Sequence, residues 1–378
     1  MRVLLTGGGT SGHVTPALAI ADIIRAREPD SEFAYIGTPR GIEKRLVEKE
    51  GIPFYPINIQ GISRSLSLSN LRTAYLIMTA PAAAKKIIKQ FRPDVVIGTG
   101  GYVCWAPLKA AAELGIPTVI HESNSIPGLA VRKLEDKVDL ILTNFKSCAD
   151  KMKNAQRAVC VGNPIRVSFG DTDKTQARKR LGIPDSAKFV ILSFGGSLGA
   201  PGLNGAAIEV MRRFGVEHED VMHFHAGGKK YYDNAMQMFA GYSLEKHPRL
   251  SVREYIYDMS LHMAAADLVI CRAGAMTLTE LSMMGKAAIL VPSPHVTDDH
   301  QYKNASVLAN EGAAVLIREN DSTADGVVEA VQRLYADPDL RRQMSERIRA
   351  FSNPQVNEEI YGQISRLLVN NAKITRKN

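Results

Sequence analysis

Apolar residues along this chain fall into two patterns that take turns. One is a short continuous run, such as Val3-Leu4-Leu5, Val95-Val96-Ile97 or Val190-Ile191-Leu192; the other is a longer stretch in which apolar residues recur every three or four positions. A short continuous run suits a parallel strand covered on both faces, and the longer period suits a helix laid against it. The pattern predicts strands at residues 3–6, 33–36, 95–98, 118–121, 140–143 and 158–161, with helices at 17–27, 42–49 and 107–114. It restarts in the second half, with strands at 189–193, 222–225, 250–253, 268–270, 288–291 and 314–317 and helices at 202–213, 277–284 and 302–311. Such alternation predicts an α/β fold of doubly wound parallel sheets. The polar stretch after Asn163-Pro164-Ile165-Arg166 reads as a linker and divides the chain into Rossmann-like domains at 1–165 and 166–352. A helical stretch at 358–369 lies in a terminal segment of about 353–378 that can pack on either domain.

Composition narrows the class. A chain of 378 residues is long enough for two cores, and 45% hydrophobic with 23% charged residues is a globular balance. The net charge of +8 favours an anionic partner: phosphate, nucleic acid or a membrane surface. No aromatic interleaving or known motif accompanies the basic residues, so no nucleic acid is expected. Cys104, Cys148, Cys160 and Cys271 share no CxxC spacing and read as reduced, mostly buried thiols of a cytosolic protein. The apolar start is too short for a signal peptide, and the longest apolar stretch, 74–84, carries Thr79 and Pro81 and is too short to span a bilayer.

Ligands of open α/β sheets sit at the carboxyl ends of strands, so the residues just after each predicted strand matter most. After the first comes Gly7-Gly8-Gly9-Thr10-Ser11-Gly12-His13, where Gly7, Gly9 and Gly12 match G-x-G-x-x-G. Such glycines admit a phosphate to a helix N-terminus. A nicotinamide site would also need an acidic residue at the end of the second strand, where Tyr35-Ile36-Gly37-Thr38 stand instead. His13 is then a candidate base for a sugar hydroxyl, or else a structural histidine. Gly98-Thr99-Gly100-Gly101-Tyr102 forms a second glycine loop, and His121-Glu122-Ser123-Asn124 ends the fourth predicted strand. Asn124 could hold a sugar hydroxyl or acetamido group.

In the second half, Gly195-Gly196-Ser197-Leu198-Gly199-Ala200 could seat a diphosphate, with Arg166 supplying positive charge. In Arg272-Ala273-Gly274-Ala275-Met276-Thr277-Leu278-Thr279-Glu280, the carboxylate of Glu280 could take both ribose hydroxyls or simply favour the helix dipole. A polar loop carries His300 and Gln301 into the next helix. Two D-x-D strings, Asp171-Thr172-Asp173 and Asp337-Pro338-Asp339, stand beside helix starts and read as N-caps; no catalytic metal is expected. From 68 to 89, Leu68, Leu71, Tyr75 and Met78 fall at helical spacing, flanked by Lys85, Lys86 and Lys89. That suits a helix on an anionic membrane, or a core-facing helix with a solvated basic side, and Pro81 is expected to break it in two.

The strings GGGTSGHVTPALA, GTGGYV, HESN, GNPIR, GGSLGA, GAMTLTE and DDHQYKNA, in that order, resemble the MurG family, the N-acetylglucosaminyltransferases of bacterial peptidoglycan synthesis. The likeness runs from Met1 to about Arg366. It implies a GT-B fold, two Rossmann-like domains facing an interdomain cleft, with the terminal helix returning to the first. It implies inverting transfer of N-acetylglucosamine from UDP-N-acetylglucosamine to the 4-hydroxyl of muramic acid in lipid I, giving lipid II, with no cofactor. It further implies a peripheral protein on the cytoplasmic face of the cell membrane, among cell-wall synthesis proteins as partners. Carried onto this chain, it places Thr10, Ser11, Gly12, His13 and Asn124 near the donor sugar or acceptor, and Gly9, Gly100, Gly101 and Tyr102 in the acceptor and phosphate loops. Arg166 and Ser197 would meet the phosphates, Ile256 the uracil, and Ala275, Met276 and Thr277 the diphosphate and nucleotide. Glu280 would bind the ribose, and His300 and Gln301 the sugar. Leu198, Ser123 and His300 stand where the family often has Gln. Rival readings are another GT-B transferase, a UDP-sugar epimerase, or a nucleotide-binding module without catalysis.

Overall fold

The computed structural model describes residues 1–61, 69–166, 169, 173–296, 299–320 and 323–375. They form two compact units, one of Met1–Val167 with Pro354–Asn378, the other of Ser168–Asn353.

The first unit is built on β1 (Arg2–Thr6), β2 (Glu32–Gly37), β3 (Phe54–Pro56), β4 (Val95–Gly98), β5 (Thr118–Glu122), β6 (Leu140–Thr143) and β7 (Ala158–Cys160). All pair in parallel, in the order β3-β2-β1-β4-β5-β6-β7. β1 and β4 lie side by side at the centre, Leu4 opposite Val96, and both runs are wholly aliphatic because helices cover both faces. Burying each such side chain contributes about 1.5–3 kcal/mol. β3 is not among the expected strands. It is three residues long and ends in Pro56, a sequence that reads as a turn. It is tolerated because it lies at the sheet edge, where one outer row of backbone groups needs no partner. Phe54 stacks 6.1 Å from Tyr35 and anchors it.

The helices α1 (Ser11–Arg27), α2 (Ile42–Lys49), α3 (Ser69–Phe91) and α4 (Trp105–Glu113) connect the first strands. α1 begins six residues before the predicted start, so Ser11, Gly12 and His13 form its first turn. α3 runs through Pro81 unbroken, against expectation. Proline removes one backbone hydrogen bond, but Ala80, Ala84, Ile88 and Phe91 stay packed in the core on both sides of it. The helix Val356–Thr375 belongs to this unit: Asn357 bonds both Ile165 N–H and its carbonyl, at 3.1 and 2.9 Å, and Tyr361 donates to Glu28 at 2.8 Å. No helix among the described residues is long and apolar enough to cross a membrane. Cys104, Cys148 and Cys271 are buried, the first two pushed up to about 12 chiefly by burial, whereas Cys160 is exposed on edge strand β7.

The second unit repeats the plan with β8 (Phe189–Phe194), β9 (Val221–Ala226), β10 (Leu250–Arg253), β11 (Leu268–Cys271), β12 (Ala288–Leu290) and β13 (Val315–Leu316), in the order β10-β9-β8-β11-β12-β13. The period of two along β8 sends Val190, Leu192 and Phe194 into one core and Phe189 and Ile191 into the other. In each unit the strand order reverses beside the first strand, between β1 and β4 and between β8 and β11. At such a switch point the loops diverge and leave a crevice at the strand ends.

Three histidines on these strands, His121, His223 and His225, are wholly buried. Burial holds His121 and His225 at about 4, below the ordinary 6.5, and likewise pushes His223 well below it, with the neighbouring His225 adding to the effect. Each is therefore neutral in the folded chain at a pH where the unfolded chain takes up a proton. The stability this contributes is complete above pH 6.5 and is lost as the pH falls toward 4. The urea midpoint is expected to drop between about pH 7.5 and about pH 5, before most carboxylates titrate. An equal midpoint at the two pH values would contradict the burial of these imidazoles.

Candidate active site

At the switch point of the first unit, the loop after β1 and the loop after β4 lie directly on one another. Gly101 has φ of 74°, and a Cβ there would overlap the Gly8 carbonyl. A Cβ on Gly100 would stand 2.7 Å from Cδ2 of His13, so the imidazole lies against bare backbone. Thr99 closes the contact, its hydroxyl donating to the His13 carbonyl at 2.5 Å and its N–H to the Thr6 carbonyl at 3.0 Å. His13 Nδ1 lies 3.2 Å from both the Gly8 carbonyl and the Thr10 hydroxyl. A carbonyl can only accept, so Nδ1 carries the hydrogen and the lone pair of the neutral ring is on Nε2. That is the tautomer a general base needs. Gly9, Thr10 and Gly12 are exposed around it, and Ser11 is half-buried.

Beneath the loop lies a residue that motif reading missed. Glu43 on α2 is completely buried. One carboxylate oxygen accepts from the Thr38 N–H at 3.0 Å and from the Thr38 hydroxyl, the other from the Gly9 N–H at 3.4 Å. Tyr102 lies over Gly9 and Gly61 and bonds Thr38, tying the second loop to the same floor. An acidic residue in the helical string Ile42-Glu43-Lys44-Arg45 reads as solvated; only the fold turns it inward. Glu122, at the end of β5, does the same for the next loop: it accepts from Asn124 N–H and Nδ2, each at 2.9 Å, and from Gly128 N–H at 2.7 Å. Asn124 is thus fixed with its amide oxygen turned away from Glu122.

The second unit has the same arrangement. Gly199 has φ of 85°, and a Cβ on it would overlap the Gly227 carbonyl. Lys229 and Lys230 N–H groups donate to the carbonyls of Ser197 and Leu198, both at 3.1 Å, so the loop after β8 is docked on the loop after β9. Ser197 is nearly buried and Leu198 is 51% exposed. Across the switch point, Gly274 caps the helix Ala275–Met284. Ala275, Met276 and Thr277 form the first turn of that helix, the end at which the helix dipole favours an anion. Glu280 is half-buried one turn further on, and Ile256 is buried. Arg272 is not available to a phosphate: it bonds the carbonyls of Val291 and Pro292 at 2.9 and 3.0 Å and pairs with Glu319. It thereby fixes the start of the loop that ends at His300 and Gln301. Gln301 Oε1 accepts from Ser293 N–H at 2.9 Å, which leaves the side-chain NH2 as the donor toward a ligand.

Other expected residues stand elsewhere. Arg166, assigned to the phosphates, is bound by Asp22 at 2.6 Å and by both oxygens of Glu50 at 2.9 Å. The geometry is bidentate, and Arg166 holds Glu50 below the usual carboxylate range. It therefore joins α1 to the end of α2, a role that its position at the predicted seam does not reveal. Of the D-x-D residues, Asp173 and Asp337 cap helices, each accepting at 2.9 Å from the N–H three residues on; Asp171 lies outside the described residues. No group of three His, Cys, Asp or Glu among the described residues is arranged to hold a metal. On α3, Tyr75 and Met78 are exposed, as are Lys86 and Lys89, while Lys85 pairs with Glu113 at 2.7 Å. Leu68 lies outside the described residues.

Two parallel α/β units, each with glycine loops at its switch point, are the construction of the GT-B glycosyltransferases, whose donors are nucleotide sugars. The comparisons agree: residues 3–143 match the glycosyltransferase family 28 N-terminal domain and residues 190–360 the C-terminal domain. The chain belongs to glycosyltransferase family 28. It is 40% identical, over 98% of this chain and 100% of the relative, to the UDP-N-acetylglucosamine--N-acetylmuramyl-(pentapeptide) pyrophosphoryl-undecaprenol N-acetylglucosamine transferase of Acetivibrio thermocellus. The crystal structure of Acinetobacter baumannii MurG is similar with a TM-score of 0.68 and 29% identity, over 97% of this chain and 99% of that one. The S. aureus MnaA–UDP structure reaches a TM-score of 0.69 over 97% of this chain and 96% of that one, but at 18% identity the likeness is one of fold alone.

Glu43→Gln is a direct check on the floor of the first loop. An amide cannot accept on both sides, so one N–H or hydroxyl donor loses its partner in the interior. The urea midpoint is expected to fall by the equivalent of about 1–3 kcal/mol. An unchanged midpoint would show that the carboxylate does not support the loop.

Proposed function

We propose that this chain transfers N-acetylglucosamine from UDP-N-acetylglucosamine to the 4-hydroxyl of the muramic acid of lipid I, forming lipid II with inversion at the anomeric carbon. The observation that carries this reading is His13, held by the Gly8 carbonyl in the tautomer that accepts a proton at Nε2, in a chain 40% identical over its length to such a transferase.

The acceptor oxygen attacks the anomeric carbon as the bond to the diphosphate breaks. Its proton passes to His13 Nε2, and UDP leaves with the bonding electrons. The charge developing on UDP is met by the Ser197 hydroxyl and by the N–H groups at the start of the helix Ala275–Met284. Glu280 takes the ribose hydroxyls, the Ile256 backbone the uracil, and Asn124, His300 and Gln301 the sugar, while Gly9, Gly100, Gly101 and Tyr102 border the acceptor. The scheme uses no metal, and Asp173 and Asp337 of the two D-x-D strings cap helices. The lipid-linked acceptor is reached at the cytoplasmic face of the membrane, where Tyr75, Met78, Lys86 and Lys89 share one exposed face of α3. Other wall-synthesis proteins are partners there.

Labelled UDP-N-acetylglucosamine with a lipid I analogue and EDTA is expected to give labelled product and UDP in equal amounts, and neither without the acceptor. Conversion of the sugar nucleotide without acceptor would favour an epimerase, and binding without turnover a non-catalytic module; either would overturn the proposal. His13→Ala is expected to lower kcat by a factor on the order of 100 or more with the donor KM little changed. Normal turnover would remove His13 as the base.

A further inference from the structure

Behind the loop after β8 runs a chain of four buried side chains that the reaction scheme does not use. His223 Nε2 lies 2.7 Å from Ser193 Oγ, which lies 2.8 Å from His225 Nδ1; His225 Nε2 lies 3.2 Å from Asn204 Oδ1, and Asn204 Nδ2 donates to the Gly227 carbonyl at 2.8 Å. His223, Ser193 and His225 are fully buried and Asn204 nearly so.

The direction of every hydrogen bond follows from the last one. The Gly227 carbonyl can only accept, so the Asn204 NH2 faces it and the amide oxygen faces His225. His225 must then donate from Nε2, which puts its lone pair on Nδ1, where Ser193 donates. The Ser193 oxygen in turn accepts from His223 Nε2–H. What is left over is a lone pair on His223 Nδ1, and that is the atom of the chain without a hydrogen-bond partner. A buried acceptor left over costs less than a buried N–H would. The chain thus has one polarity, set at the glycine end, and burial keeps both imidazoles in the neutral form it requires.

The held group, Gly227, is the one on which the candidate diphosphate loop sits. A Cβ on Gly199 would overlap the Gly227 carbonyl, and one on Gly228 would overlap the Gly199 nitrogen. Asn204 lies in the first turn of the helix Pro201–Val210, its N–H bonding the Ala200 carbonyl at 2.8 Å. It is therefore tied to the loop at 195–200 in two ways: covalently, through the helix that the loop enters, and by its side chain, through the Gly227 carbonyl that packs on Gly199.

We propose that Asn204 is a positioning residue for the diphosphate of the nucleotide donor, seating the loop at 195–200 through the Gly227 carbonyl, with Ser193 and His225 fixing the amide. The proposal rests on the donor lying in the second unit. Its consequence is selective: the diphosphate should lose its seat while the nucleoside keeps its own.

The test is UDP affinity by calorimetry and uridine affinity by ligand-observed NMR, on the full chain and on Asn204→Asp, whose carboxylate cannot donate to Gly227. UDP is expected to bind about 10-fold more weakly and uridine within about twofold of wild type. Equal weakening of both ligands, or of neither, overturns the proposal while leaving the donor site in the second unit. A wild-type chain that binds neither ligand removes that site and the proposal with it. If Asn204→Asp does not fold, Ser193→Ala keeps the Asn204 side chain but leaves the imidazole of His225, and with it the amide on Gly227, less firmly held. The same selective loss of UDP over uridine, about threefold, is expected there, and a nonselective change overturns the proposal.

Discussion

Everything the two sites do depends on backbone meeting backbone at the carboxyl ends of neighbouring parallel strands. In the first unit Gly101 leaves room for the Gly8 carbonyl, and in the second Gly199 leaves room for that of Gly227. A side chain at either place would push apart loops that the register of β1 with β4, and of β8 with β9, otherwise brings together. Because the loops touch, a carbonyl of one is close enough to select the tautomer of a histidine between them, and N–H groups of another can brace a turn. The positive φ of these glycines is the local condition, and the switch point of each sheet is what makes the location useful.

Polar groups buried below the loops supply rigidity that glycine cannot. Glu43, Glu122 and Asn204 each accept or donate at loop backbone from an enclosed position. An enclosed group of this kind holds one geometry, because its hydrogen-bond partners cannot be replaced by water. Flexible sequence at the surface of each loop is thereby set on a polar support, so the exposed residues Gly9 and Thr10 need no side-chain cap of their own. Arg166 extends the same principle, clamping two helices of the first unit through Asp22 and Glu50.

Much of this is legible in the order of residues alone. Central strands such as β1, β4 and β8 announce themselves as unbroken aliphatic runs, and the glycine strings after them mark the loops. What is not legible there depends on placement rather than residue type. β3 is tolerated by its position at an edge, and α3 continues through Pro81 because its far side is packed. Arg166 sits at the seam in a string of family residues, yet its charge is spent on carboxylates more than a hundred positions away. Glu43, His223 and Ser193 carry no motif at all; the contact of Glu43 with Gly9, and those of Ser193 with His223 and His225, are assembled only when separate parts of the sequence meet in the fold.

The division of labour between the two glycine contacts can be tested with one paired measurement: UDP affinity and sugar transfer in Gly101→Ala and in Gly228→Ala, both with native circular dichroism. If the first contact serves the base and the second the diphosphate, Gly101→Ala keeps wild-type UDP affinity while transfer collapses, and Gly228→Ala loses UDP itself. A Gly101→Ala chain that transfers sugar normally, or a Gly228→Ala chain that binds UDP as well as wild type, would contradict the claim that these side-chain-free contacts build the site.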